Sequence, residues 1–170
     1  QAVTWTATVT SSGSITPTGK VTFTWGNTIG TATLNASGIA TLTKSNLNAD
    51  TFPLTAVYSG DAANLGSTSA VVNQVVQQTT SAATITSSPN PSTQGQAVTF
   101  TATITSPTVT AKGPVTFTAG TTVLGTAQLS SGHAKLIVSS LPVGSTKVTA
   151  TYYGDSDIAK SSASVTQTVQ

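Results

Sequence analysis

Val98-Thr-Phe-Thr-Ala-Thr-Ile104 alternates apolar and hydroxyl side chains without a break. Val98, Phe100, Ala102 and Ile104 fall on one face of an extended chain and the threonines on the other, the pattern of a strand with one face in a core and one in water. Threonine is β-branched and suits a half-exposed pleated surface better than a helix. The stretch has a twin near the start of the chain, Val3-Thr-Trp-Thr-Ala-Thr-Val9.

The likeness extends outward from both. Val21-Thr-Phe-Thr24 repeats as Val115-Thr-Phe-Thr118, Gly30-Thr-Ala32 as Gly125-Thr-Ala127, and Tyr58-Ser-Gly-Asp61 as Tyr152-Tyr-Gly-Asp155. The displacement is about 94 residues, the size of a whole sandwich domain rather than of a solenoid repeat. Turn residues fall between the short alternating runs, at Ser37-Gly38, Ser131-Gly132, Gly60-Asp61 and Gly154-Asp155. The expected fold is all-β: two tandem immunoglobulin-like antiparallel β-sandwiches. With strands lettered A to G, the second domain, 78–170, reads A 80–87, B 97–105, C 114–118, a short strand 122–129, E 133–140, F 146–153 and G 162–169. The first, 1–77, reads B 2–10, C 20–25, a short strand 28–34, E 38–44, F 52–58 and G 68–76, and lacks strand A. Residues 77–81 read as a short polar linker that favours a rod.

Composition narrows the function. Of 170 residues only 6% are charged, against roughly 25% in an ordinary domain. The net charge of +2 rests on lysines scattered singly, without arginine, so nucleic acid is not an expected partner. Cysteine is absent, and no disulfide or thiolate metal site can staple the fold. Methionine is absent too, which reads as a processed chain or a piece of a longer one, and no apolar run is long enough to insert in a membrane.

Asn90-Pro-Ser92, Gly95-Gln96, Val98-Thr-Phe-Thr-Ala102, Pro114-Val-Thr-Phe117, Leu141-Pro142 and Tyr152-x-Gly-Asp155 together resemble the third group of bacterial immunoglobulin-like repeats. The resemblance covers both copies, with Leu47-Asn48 standing where the second has Leu-Pro. It implies an extracellular or cell-surface bacterial protein whose repeats form stalks, fibres or adhesin shafts. The expected partners are further copies of the chain or neighbouring repeats, with surface glycans or proteins as the alternative of an adhesin or carbohydrate-binding module.

No enzyme is expected, and no cofactor. The sole histidine, His133, sits at a hairpin turn where the first copy has Ile39, and glutamate is absent, which leaves neither a triad nor a carboxylate pair. The turn motif Tyr58, Gly60, Asp61 and its twin Tyr152, Gly154, Asp155 reads as structural: a packed ring, a glycine at positive φ, and an aspartate bonding its own turn. Asp155 with Asp157 is a weak calcium candidate, since calcium takes about six to eight oxygens. Lys20 and Lys112 would have to be buried to form an isopeptide bond. Trp5 matches Phe100 and reads as core, while Trp25 matches Ala119 and is a candidate exposed aromatic for sugar stacking. Without strand A, strand B of the first copy would expose an edge. Either the chain is an excerpt of an array, or a strand from another molecule fills the gap and links subunits head to tail into a filament.

Overall fold

The computed structural model describes residues 2–170. All regular elements among them are β-strands, as the alternation predicts. Among the described residues no helix is long and apolar enough to cross a membrane. The chain divides into two compact units, the first ending at Gln77 and the second spanning Gln78–Gln170.

Unit 1 holds β1 (Val3–Thr8), β2 (Lys20–Trp25), β3 (Asn27–Thr33), β4 (Ile39–Lys44), β5 (Asp50–Gly60), β6 (Leu65–Thr68) and β7 (Val72–Val76). β1 and β4 pair antiparallel as a two-stranded sheet; the other sheet runs β3-β2-β5-β6, with β7 also on β5. Trp5, Val21, Phe23, Leu34, Ala40, Leu54 and Tyr58 form the buried core.

Unit 2 holds β8 (Ala82–Ser88), β9 (Val98–Thr105), β10 (Pro114–Ala119), β11 (Thr122–Gln128), β12 (His133–Val138), β13 (Gly144–Tyr152) and β14 (Ser161–Val169). Its sheets are β12-β9-β8 and β11-β10-β13-β14. β8 lies where strand A is expected, paired with β9 from Ala82 opposite Thr105 to Ser88 opposite Thr99. Beyond it, across the cis bonds Ser88–Pro89 and Asn90–Pro91, the chain passes to the other sheet and Ser92 pairs parallel with Val169. Three backbone bonds fasten it there: Ser92 N–H to Thr168 O at 3.0 Å, Gln94 N–H to Gln170 O at 2.8 Å, and Gln170 N–H to Ser92 O at 2.8 Å.

That crossing segment accounts for the difference between the two cores. In β9, Val98, Phe100, Ala102 and Ile104 are all buried, with Ala83 and Ile85 of β8 packed over the same cluster. In β1 only Trp5 is buried, and the equivalent Val3, Ala7 and Val9 are partly covered. The outward threonines pair across strands, as between Thr4 and Thr43 (2.8 Å) and Thr24 and Thr55 (2.8 Å), so hydroxyls satisfy one another where charge is scarce.

Two expectations change. Strand G of unit 1, expected as one run over 68–76, is broken into β6 and β7. Thr68 faces Val57 and Val72 faces Leu54, so the β6–β7 side carries one residue more than β5 between the two pairs. This bulge is held by Ser69, whose N–H donates to Ala56 O at 2.9 Å and whose Oγ accepts the Ala56 N–H at 3.0 Å. Nor are residues 78–81 a free linker. Thr79 N–H donates to Asp157 O (2.8 Å), Ala159 N–H to Thr79 O (2.9 Å) and Ser81 Oγ to Ala159 O (2.7 Å), which ties this stretch into unit 2.

Phe117 is fully buried between the sheets of unit 2. Phe117→Ala is expected to cost about 3–5 kcal/mol of that unit's stability, measurable by urea unfolding followed by far-UV circular dichroism.

Candidate functional site

The two Tyr-x-Gly-Asp turns are built alike. Gly154 has φ 86° and Gly60 φ 89°, conformations that favour glycine, and a Cβ on Gly154 would lie 2.5 Å from Ile158 O. Asp155 Oδ1 accepts the N–H groups of Asp157 and Ile158, each at 2.8 Å, and Oδ2 accepts the Tyr152 hydroxyl at 3.0 Å. In unit 1 Asp61 Oδ1 accepts the N–H groups of Ala63 (2.9 Å) and Asn64 (2.7 Å). Its Oδ2 reaches out of the turn to the Thr18 N–H (2.8 Å) and hydroxyl (2.9 Å). The Tyr58 hydroxyl donates to Thr18 O at 3.0 Å, so ring and carboxylate together clasp the loop before β2.

These bonds set the acidities. The Thr18 N–H, followed by the Ala63 N–H, holds Asp61 well below the usual carboxylate range, against a smaller opposing effect of burial. For Asp155 burial pushes upward, but the N–H of Asp157, the Tyr152 hydroxyl, the N–H of Ile158 and the charge of Lys112 outweigh it and the net shift is down. Tyr152 is pushed up to about 12 by burial, then by its bond to Asp155 and that group's charge.

The calcium candidates sit in this same turn. Asp155 directs both oxygens at donors of its own loop, and Asp157 Oδ2 accepts the Ser156 hydroxyl at 3.3 Å. Among the described residues no three His, Cys, Asp or Glu side chains come together as a metal group. Lys20 and Lys112 are exposed, unlike the buried lysine that an isopeptide bond needs. His133 Nδ1 lies 3.0 Å from Thr103 Oγ1 on a sheet face shared with Thr101, Ser130 and Lys135. Trp25 is half-buried rather than displayed: its ring packs on Phe52, centroids 4.4 Å apart and tilted by 36°.

The sandwich of unit 1 is open at its β1 edge. A groove of about 420 Å³ opens there between the sheets, lined by Trp5, Ala7, Val9, Leu54, Ser69 and Val72 among others. β1 pairs with β4 alone and β7 with β5 alone among the described residues. Val72 is 59% exposed, whereas Val165, at the same register position of unit 2, packs against the core. What covers this edge in unit 2 is the segment 82–94.

The chain matches the bacterial Ig-like domain (group 3) family over residues 1–77 and 85–170. Among curated proteins none matches it. Of solved structures, the fibronectin(III)-like modules of Clostridium thermocellum CbhA are similar at 21% identity and a TM-score of 0.46, with 100% of this chain and 86% of that one covered. The D0-D1 domain of intimin is similar at 23% identity and a TM-score of 0.39, covering 99% and 90%.

Because the folded state depresses the Asp61 pKa, its contribution to stability is present above the unfolded value near pH 4 and is lost as pH falls below it. The thermal midpoint of unit 1, followed by tryptophan fluorescence, is expected to drop on acidification from about pH 5 to 2 and to do so much less in Asp61→Asn. Gly154→Ala, with a strained φ and a backbone clash, is expected to cost unit 2 about 1–3 kcal/mol in chemical denaturation.

Proposed function

Since the chain belongs to the bacterial Ig-like domain (group 3) family, we propose that it serves as a structural repeat of an extracellular or cell-surface bacterial stalk or filament protein, and that unit 1 is completed by β-strand addition. Its partners are then neighbouring repeats or further copies of the chain, and where the strand comes from another copy the contact repeats head to tail into a filament.

The observation that carries this reading is the contrast at one edge. In unit 2 the segment 92–94 runs parallel to 168–170, fastened by three backbone bonds. Tension applied between the entry of unit 2 and its last strand loads those bonds in shear, so they must yield together rather than one at a time. In unit 1 the same edge is an apolar groove with unpaired strand margins, a surface that natural sheets cover or use for pairing. Covering an aliphatic side chain there contributes about 1.5–3 kcal/mol. A second reading, a sugar-binding platform at Trp25, draws on an aromatic pair that unit 2 lacks, since Ala119 and Thr146 stand at those positions.

In single-molecule stretching of the chain, unit 2 is expected to unfold at higher force than unit 1. A synthetic peptide of residues 78–96 is expected to raise the force for unit 1. Equal forces in the two units, unmoved by peptide, would sink the proposal.

A further inference from the structure

β13 ends in two successive tyrosines that turn opposite ways. Tyr152 is buried in the core of unit 2, whereas Tyr153, the next residue, is 69% exposed. Every other aromatic side chain among the described residues is buried or half-buried, Trp25 included, so Tyr153 is the ring this chain displays to water.

The outer face of the sheet β11-β10-β13-β14 runs on from that ring. Continuing the β13–β14 register one step beyond Tyr152 and Ser161 sets Tyr153 beside Lys160, and alternation puts both on the outer face. Next comes a rank of hydroxyls, Thr126, Thr116, Thr151 and Ser162 on the four strands in turn, and then Thr118, Thr149 and Ser164. Thr149 and Ser164 share a hydrogen bond of 2.9 Å. Lys147, opposite Thr166, lies on the same face about 20 Å from Tyr153, at about 3.3 Å per residue. Both lysines are exposed, and no carboxylate stands among these positions. Asp155 and Asp157 lie in the turn beyond Tyr153, where Asp155 is held by Tyr152 and its own loop and Asp157 accepts the Ser156 hydroxyl.

Unit 1 carries none of the three. At the register positions of Tyr153, Lys160 and Lys147 it has Ser59, Gly66 and Pro53, and Val57 stands where unit 2 has Thr151. The same sandwich therefore forms without them, and their presence in unit 2 is not a demand of the fold.

We propose that this face of unit 2 binds a linear acidic polysaccharide, with one sugar ring stacked on Tyr153 and carboxylates met by Lys160 and Lys147. One face of a pyranose ring is a set of slightly positive C–H groups, which packs on the electron-rich face of a tyrosine ring while the phenol hydroxyl stays in water. The threonine and serine hydroxyls between suit the sugar's own hydroxyls, since each side can donate or accept. Charge selects the class of glycan. Two cations and no anion favour a chain that bears carboxylates along its length over a neutral one. The site lies wholly in unit 2 and is independent of strand addition at unit 1.

Affinity electrophoresis of the full chain through gels containing polygalacturonate, alginate or hyaluronate tests this, with methyl-esterified pectin as the neutral counterpart of the first. Retardation by at least one of the three acidic polymers is expected, and it should weaken as salt is raised. Tyr153→Ala and Lys160→Gln are each expected to weaken binding about three- to tenfold, while Tyr153→Phe, which keeps the ring, stays within about twofold. Lys135→Gln removes the same charge from the outer face of the other sheet and is expected to change little. All three positions are exposed, so the fold tolerates these changes. Retardation by none of the three polymers overturns the proposal, and so does binding that ignores Tyr153→Ala. Equal losses in Lys135→Gln and Lys160→Gln would mean attraction to net charge alone, and equal retardation by esterified pectin would mean a neutral ligand; either overturns it. Tighter binding of single-stranded DNA than of any of the three would make nucleic acid the ligand and overturn it as well.

Discussion

Two facing sheets adhere through their apolar faces, and a segment that belongs to both limits how far they can slip. In unit 2 that segment is 82–94, paired with β9 along its first half and with β14 along its second. Its inward side chains cover the end of the core, and Gln167 beneath it is sealed from water with its nitrogen bonded to Pro89, Ser92 and Thr168. Burying so polar a group is tolerable only when its hydrogen-bonding capacity is largely met. In unit 1 Gln74 holds the same register position and is half-buried.

The alternation in Val98–Ile104 and its displaced twin were enough to read the all-β class and the repeat, because a period of two leaves little room for another element. The boundaries of β9, β10 and β12 follow the expected ones within a few residues. The break between β6 and β7 was not legible. A single extra residue in a run of small, β-branched and amide side chains, Ser67 to Val76, leaves no mark that Gly or Pro would leave. That hidden residue also shifts the alignment of the last strands: a constant displacement aligns Gln170 with Val76, whereas the register aligns Val169 with Val76 and so Gln167 with Gln74. Residues 78–81 misled for a related reason, since a polar tetrapeptide reads as a connector until its bonds to the loop at 157–159 are seen.

The Tyr-x-Gly-Asp turns show how a chain poor in charge spends the few carboxylates it has. Asp61 and Asp155 each gather several N–H and hydroxyl donors, and the work of both is to hold a loop. The remaining surface relies on threonine and serine ladders, neutral pairs whose strength changes little with salt or with pH over the ordinary range.

That neutrality has a kinetic side. An edge lined by Trp5, Ala7, Val9 and Val72 exerts no long-range pull on a partner, so an encounter there proceeds at the unsteered rate, roughly 10⁵–10⁶ per molar per second. On the proposed reading, a joint made there would form without steering and owe its lifetime to slow dissociation. It would behave the same in fresh water and brine.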